Sequence, residues 1–175
     1  MPKDSINHDG PASFFPNGRR IIFVGSEPGH ARRCWLQDLD GGKPRPVTPE
    51  GVVGAVLSLD GRFVAARAPE QKPALYPLEA GPPRPIEGLE PSDGPLRWSA
   101  DGKFLFVSPL GRGLPARVYR VEIPSGRREL WKEFTPHDPT GLINLYAAAI
   151  IPDGKTLVFG YHHTLSDLYV VEGLK

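Results

Sequence analysis

Short apolar runs recur along this chain, and each follows the same kind of turn. Four segments share an Asn-Gly or Asp-Gly pair, a basic residue and then a short run rich in apolar residues: FPNGRRIIFVGS, SLDGRFVAARA, SADGKFLFVSP and IPDGKTLVFGY. Such a pair between apolar segments is a strong hairpin signal, because a two-residue type I′ turn needs positive φ at both central positions. The pattern therefore predicts four β-hairpins on type I′ turns.

A second pattern repeats in step with the hairpins. It consists of an aliphatic residue, two variable residues, another aliphatic residue and an acid: LQDLD (36–40), LYPLE (75–79), VYRVE (118–122) and LYVVE (168–172). In the first three units a further extended piece follows, at 43–48, 82–88 and 126–134, and prolines in the first two favour an edge position. Each unit is thus predicted to form four antiparallel strands, the last of which lies at a sheet edge.

The spacing of the turns suggests how the units are arranged. The intervals between the turn glycines are 43, 41 and 52 residues, and two of them match the roughly 40–45 residues of a four-stranded propeller blade. No helical pattern of 10–15 residues separates the strands. We expect an all-β, single-domain β-propeller over 1–175 with four antiparallel four-stranded blades, at 11–48, 54–88, 95–134 and 145–175 plus 3–8.

The first strand of each unit carries a large apolar residue just before the turn. These residues are expected to fill the core between blades: Phe14, Leu57, Trp98 and Ile150. The extra length of the 52-residue interval falls mainly in 133–146. Segment 135–146 is therefore predicted to be a binding loop, a cover for one end of the channel, or the beginning of the next inner strand.

The two ends of the chain suggest how the ring closes. The N-terminal segment resembles the outer strands of other blades, with Ile6 matching Val47 and Ile86. We expect residues 3–8 to pair with 168–172 of the same chain, which gives a monomeric four-bladed ring, because a tethered strand has the higher local concentration. Pairing with a second copy would instead close an eight-bladed dimer, and an open ring is the third arrangement.

Composition narrows the classes of partner. With 21 basic and 20 acidic side chains the formal net charge is +1, so the chain lacks the basic footprint of a nucleic-acid binder. No apolar stretch approaches the length of a spanning helix, and we expect no membrane insertion and a cytoplasmic location, or an extracytoplasmic one within a larger sensor. The single cysteine, Cys34, is expected to be a buried core residue, and no cofactor is implied.

Motifs of covalent catalysis are missing from the sequence. There is no Gly-x-Ser-x-Gly nucleophile elbow and no set of kinase motifs. Adjacent His162 and His163 point to opposite faces of a strand and cannot easily bind one metal ion together. We therefore expect a protein that is not an enzyme, with a hydrolase or lyase site at the channel mouth as the alternative.

A partner, either a protein or a small molecule, is expected to bind loops on one face of the propeller. The candidate residues are polar side chains in the loops between second and third strands and in segment 135–146: His30, Arg32, Arg33, Arg112, Arg117, His137, Asp138, His162 and His163. Basic and acidic groups are mixed on this face, which indicates a binding surface of mixed charge.

The turn phrases resemble a known repeat family. WSADGKFL (98–105), SLDGRFVA (58–65) and IIPDGKTLVF (150–159) are similar to the TolB-type, WD-like repeats with a Pro-Asp-Gly-Lys turn. The C-terminal GYHHTLSDLYVVEGLK resembles the closing blade of propellers in bacterial serine/threonine kinases and winged-helix regulators. The resemblance implies a rigid binding scaffold or sensor module, or a fragment of such a multidomain protein.

Overall fold

Fourteen β-strands make up the regular structure in the part of the chain that the computed structural model describes, which is residues 6–69, 71–111, 114–151, 154–164, 166, 169–170 and 172–173. The strands are β1 Asn7–Phe14, β2 Arg20–Ser26, β3 Arg33–Asp38, β4 Arg45–Pro46, β5 Val53–Leu57, β6 Phe63–Arg67, β7 Ala74–Pro77, β8 Arg84–Pro85, β9 Asp93–Trp98, β10 Phe104–Pro109, β11 Ala116–Glu122, β12 Arg128–Phe134, β13 Leu142–Ile150 and β14 Leu157–His163. Among these residues no α-helix occurs, and hence none long and apolar enough to cross a membrane.

The strands form four antiparallel sheets in chain order. Three sheets have four strands, β1 to β4, β5 to β8 and β9 to β12, and the fourth consists of β13 and β14. The sheets are the blades of a four-bladed β-propeller, so the predicted fold class is confirmed. The first strand of each blade lies at the inner edge, and the two-residue β4 and β8 lie at outer edges as the prolines indicated.

Blades two and three pack through both faces of their second strand. In β6, Val64 and Ala66 face a cluster shared with blade one, whereas Ala65 faces a cluster shared with blade three. In β10, Leu105 and Val107 pack toward blade two and Phe106 toward blade four. This alternation follows from the two-residue period of a strand. The core is therefore three separate layers, each between consecutive blades.

The N-terminal pairing differs from the prediction. Asn7 and His8 pair with Ser26 and Gly25, so they extend the inner strand of blade one rather than the last blade. A register shift between His8 and Ala12 lets the strand bend there. The His8 ring stacks on Phe23 at 4.3 Å between centroids. Apolar contact with blade one therefore decides where this segment lies.

The fourth blade has two described strands rather than the predicted four. The expected partner of the N-terminus, 168–172, includes residues outside the described part. Of the others, Tyr169 and Val170 are 83% and 78% exposed and belong to no strand. The predicted pairing of residues 3–8 with 168–172 is therefore wrong for residues 7 and 8, which pair with blade one instead. Residues 3–5 of that predicted strand lie outside the described part of the chain.

The hairpin turns are also of a different type from the prediction. In blade one the Gly18 amide donates to the Phe15 carbonyl (2.9 Å) and the Phe15 amide to the Arg20 carbonyl (2.8 Å). The turn is therefore centred on Pro16 and Asn17, and Gly18 (φ 67°) follows it as a left-handed bulge residue. The Asn17 side chain accepts the Arg19 amide at 3.1 Å, a local hydrogen bond that supports this turn.

In blades two and three a serine reinforces this turn. The Ser99 hydroxyl donates to Asp101 (2.5 Å) and accepts from the Phe104 amide (3.0 Å), while Asp101 accepts the Lys103 amide (3.0 Å). Ser58 and Asp60 make the equivalent contacts. The Ser99 hydrogen bond and then the Lys103 amide hold the pKa of Asp101 below its ordinary 3.8.

A buried ion pair holds the start of blade three. Asp93 is fully buried and receives both guanidinium nitrogens of Arg128, at 2.5 and 3.1 Å. The same guanidinium lies 4.0 Å over the Tyr119 ring centroid, and Asp93 also accepts the Glu90 amide at 2.8 Å. Arg128 thereby joins the outer strand β12 to the connection that enters β9.

We expect Arg128→Leu to destabilise the fold by about 3–5 kcal/mol, since it leaves a buried carboxylate without its cation. The matched control is Arg127→Leu at the exposed neighbouring position, which should cost under about 1 kcal/mol. Urea unfolding measures both, and Asp93→Asn in the Arg128→Leu background should recover part of the loss. Equal effects of the two arginine substitutions would contradict a structural role for the buried pair.

Asp101→Asn should lower the melting temperature by a few degrees at most at pH 7, on the order expected for one turn contact. Because the folded pKa of Asp101 is lowered, its contribution is complete above the unfolded value of 3.8 and is lost as pH falls below it. The difference from wild type should therefore shrink between pH 7 and pH 2.5 in thermal melts. A difference that does not change with pH would show that the carboxylate charge is irrelevant.

Candidate functional site

The inner strands of three consecutive blades enclose a cavity of about 520 Å³, which we call the channel cavity. Its walls come from β1, β5 and β9, the strands at the inner edges of blades one, two and three. Most of the lining is apolar or small, including Phe14, Ala55 and Leu96. A volume of this size is in the range of ligand pockets, which makes the channel cavity a candidate binding site.

Arg97 is the cation of this cavity. The residue is half-buried in β9, where it pairs with Phe106 of β10. One guanidinium nitrogen donates to the Ile150 carbonyl at 3.4 Å, and no carboxylate among the described residues pairs with Arg97. A guanidinium without a counter-ion beside apolar walls is suited to a carboxylate or phosphate, which it can bind through two parallel hydrogen bonds.

Phe14 is placed differently from the prediction. Its side chain is 69% exposed and lines the channel cavity, whereas the adjacent Phe15 is 3% exposed and belongs to the core between blades one and two. Trp98 and Ile150 are buried as expected, and Leu57 packs partly against the core. In blade one the core position is therefore displaced by one residue, and Phe14 presents an aromatic surface to the cavity.

The loop residues predicted for blade one form a small cluster of polar contacts with nearby acids. His30 Nδ1 lies 2.9 Å from Glu50, and Arg33 pairs with Glu27 while its guanidinium lies 4.6 Å over the Trp35 ring. The His30 hydrogen bond, followed by the Ala31 amide, lowers the pKa of Glu50. Arg32 is exposed at the same loop. These contacts fix the loop and compensate its charges.

The other predicted residues are distributed over blades three and four. Arg117 pairs with Glu133 across β11 and β12 at 3.4 Å. Asp138 accepts the Thr140 amide at 2.9 Å, which lowers its pKa, and His163 contacts the Thr140 carbonyl. His137 and His162 are exposed, and Arg112 lies outside the described residues.

None of the described candidates lines the channel cavity. Within the described residues no group of three or more His, Cys, Asp or Glu is arranged to hold a metal ion. Segment 135–146 divides at Leu142, where β13 begins, so its second half is the start of the inner strand. Leu145 is buried there at 3% exposure, which agrees with the last of the three predicted alternatives for this segment.

Cys34 has no role in the candidate site. It is completely buried, and its thiol donates to the Val52 carbonyl at 3.6 Å. Burial raises the pKa of Cys34 to about 11 despite a hydrogen bond with Thr48. The thiol is therefore protonated at neutral pH, and the prediction of a buried core cysteine is confirmed.

Sequence comparison finds one informative relative. The chain is 28% identical over 171 residues to the uncharacterized peptidase YuxL of Bacillus subtilis (strain 168), a match that covers 87% of this chain and 22% of that protein. No protein-family model matches the chain. The chain therefore spans about a fifth of the length of this relative.

Solved structures agree on the fold. TolB from Acinetobacter baumannii superposes with a TM-score of 0.63 at 22% identity, and the match covers 90% of this chain and 39% of TolB. An oligogalacturonate lyase from Vibrio parahaemolyticus superposes with a TM-score of 0.62 at 19% identity, and the match covers 94% of this chain and 49% of the lyase. A structure from a study of two prolyl endopeptidases superposes with a TM-score of 0.56 at 16% identity, and the match covers 82% of this chain and 23% of the other chain. At these identities the likeness confirms the TolB-like propeller fold, while the resemblance to kinase sensor propellers stays a prediction.

The expectation that the protein is not an enzyme is contradicted by these comparisons. The relative is a peptidase, and the structural neighbours include a lyase and prolyl endopeptidases, although TolB is among them as well. The missing Gly-x-Ser-x-Gly motif concerns only a nucleophile within these 175 residues. A propeller can belong to an enzyme whose nucleophile lies in another domain, so the missing motif did not justify the expectation that the protein is not an enzyme.

Phe14 and Phe15 offer a direct test of where the cavity lies. Phe15→Ala should destabilise the fold by about 3–5 kcal/mol because it removes a buried aromatic side chain. Phe14→Ala should cost under about 1 kcal/mol because that side chain is mostly exposed. Chemical denaturation of the two variants measures the difference, and a reversed order would place Phe14 in the core.

Proposed function

We propose that this chain is the propeller of a peptidase and holds peptide substrate in the channel cavity. A separate catalytic domain would supply the nucleophile. The observation that carries the proposal is the similarity to a peptidase over 87% of the chain. The likeness of the fold to prolyl endopeptidases supports it.

The sequence supports this division of labour. No Gly-x-Ser-x-Gly elbow occurs in the 175 residues, so a serine nucleophile of that type would belong to another domain. The described propeller supplies rigid strands around a cavity, and rigid strands hold a bound ligand more precisely than loops do. Binding and orientation of the substrate are therefore the contribution proposed for this chain.

The polar and apolar groups of the channel cavity suit a peptide. The Arg97 guanidinium would receive a C-terminal or side-chain carboxylate, and the exposed ring of Phe14 would pack against an apolar side chain. Both groups lie on inner strands and line the same cavity. Together they favour peptides with an acidic group near an apolar residue.

The main alternative is a ligand like that of the lyase neighbour. Oligogalacturonate also carries carboxylates and would meet Arg97, but its sugar rings offer less apolar surface to Phe14. Comparison of a peptide with an oligosaccharide of equal charge therefore separates the two possibilities.

Calorimetric titration tests the proposal. The chain should bind an apolar hexapeptide with a free C-terminal carboxylate and leave it intact. Arg97→Met should weaken binding about tenfold or more, the size of a lost charge-assisted hydrogen bond. Arg32→Met, an exposed loop cation outside the cavity, is the matched control and should bind like wild type.

Two outcomes would overturn the proposal. One is tighter binding of oligogalacturonate than of the peptide. The other is peptide binding that is the same for wild type, Arg97→Met and the C-terminal amide form of the peptide. Hydrolysis of the peptide by this chain alone would contradict the assignment of the nucleophile to a separate domain.

A further inference from the structure

A second cavity lies between blades two and three, at the end of the sheets where the hairpin turns are. Its volume is about 580 Å³, and we call it the interblade pocket. The walls come from the hairpin turns of both blades, from strand β8 and the connection after it, and from the turn that links β11 to β12. Leu59, which is 46% exposed, lines both this pocket and the channel cavity.

A close backbone contact forms one wall of the interblade pocket. A Cβ atom on Gly88 would lie 2.0 Å from the Gly126 carbonyl oxygen, and one on Gly126 would lie 2.7 Å from Glu87 Cβ. Both glycines have positive φ, 76° and 73°. Only residues without a side chain allow this approach. The contact brings the segment with Glu87 against the turn that begins beyond Glu122.

The floor and sides of the pocket are mainly apolar. Leu59, Trp98 and Ile123 contribute large side chains from three separate segments. The Trp98 indole is held by a hydrogen bond to the Val56 carbonyl at 3.5 Å. A trough of this kind fits an aliphatic or aromatic group of a ligand.

The charged groups of the pocket are mostly acidic. Four carboxylates line it against one guanidinium: Asp60, Glu87, Asp101, Glu122 and Arg84. The two aspartates are occupied by their own turns, and Glu122 accepts from Ser125 at 2.7 Å and pairs with Arg127 at 3.6 Å. The guanidinium of Arg84 lies 4.6 Å over the Phe63 ring.

Glu87 is the carboxylate that is open to a ligand. It is exposed, and no described residue pairs with it through a hydrogen bond or an ion pair. A site with this charge repels nucleic acid and anionic lipid, and it attracts a cation. A polyamine would satisfy the carboxylates but would leave the apolar trough uncovered.

From these observations we infer that the interblade pocket binds a basic peptide segment in which a lysine or arginine lies next to a large apolar residue. The cationic group lies over Glu87, and the apolar side chain lies in the trough between Leu59, Trp98 and Ile123. The site goes beyond the proposed function, because it requires neither Arg97 nor a nucleophile.

The test uses acetyl-Leu-Lys-Leu-Lys-amide, whose capped ends carry no charge. In an NMR titration the indole N–H of Trp98 should shift, while those of Trp35 and Trp131, which do not line the pocket, should stay in place. Because Trp98 also borders the channel cavity, the same shift in Arg97→Met assigns it to the interblade pocket. Norleucine in place of lysine should weaken binding about tenfold, and glutamate in place of lysine should abolish it. Spermine should leave the Trp98 signal unchanged at the same concentration.

Glu87→Gln should weaken the lysine peptide about threefold, in line with an exposed charge pair, and Leu59→Ala should weaken it about fivefold. Glu79→Gln removes the same charge from a neighbouring turn outside the pocket and should change binding less than 1.5-fold. Thermal melts of the variants show whether the fold is retained.

Failure to shift Trp98 at millimolar peptide would overturn the inference. Equal binding of the glutamate peptide would overturn it as well, since the carboxylates would then play no part in binding. Equal effects of Glu79→Gln and Glu87→Gln would also overturn it, since binding would then follow from general charge alone. Arg97→Met should leave this peptide unaffected, so failure here and failure of the channel proposal are distinguishable.

Discussion

Blades two and three of this propeller are apolar on both faces of their second strand, and a sheet of that kind is buried only when it lies between two others. Val64 and Ala66 of β6 face one neighbour and Ala65 faces the other. Small residues on this strand let the blades approach, whereas Leu105, Phe106 and Val107 make the next strand bulkier. The stacking fixes the inner strands in a fan around an axis, and both cavities result from that arrangement.

The channel cavity exists because the inner edges of three blades converge without filling the axis. Phe14 and Arg97 line this cavity from β1 and β9, each next to a core residue in the sequence, Phe15 and Trp98. The interblade pocket has a different origin, since it lies where the turns of two blades diverge beyond the packed layer. One scaffold thereby offers a cationic site at its axis and an acidic site between its blades.

Local signals in the sequence predicted the hairpins, the edge strands and the spacing of the blades, because turn residues and strand period are determined within a few residues. The same signals did not predict that Phe15 rather than Phe14 enters the core. Phe14 pairs with Ile21 just as Trp98 pairs with Leu105, so the difference lies in the packing of the side chains and not in the strand register. The N-terminal strand was misplaced because its pairing with blade one depends on contacts with Phe23, 15 residues from His8.

The candidate sites were harder to predict than the fold. Polar loop residues such as His30 and Arg117 have the chemistry of a binding site, yet the structure pairs them with nearby acids. Arg97 gave a weaker signal, a lone charge in an inner strand where the equivalent residues of the other blades are Ser13, Val56 and Ala149. Only the three-dimensional arrangement shows that this charge has no counter-ion among the described residues.

A crystal structure of the chain with a bound peptide that has a free carboxylate tests the central claim most directly. The peptide should lie between β1, β5 and β9, with its carboxylate within 3.2 Å of the Arg97 guanidinium, a normal hydrogen-bond distance, and an apolar side chain against Phe14. A peptide bound to the loops around His30 or His163, with the channel cavity containing only water, would contradict the claim.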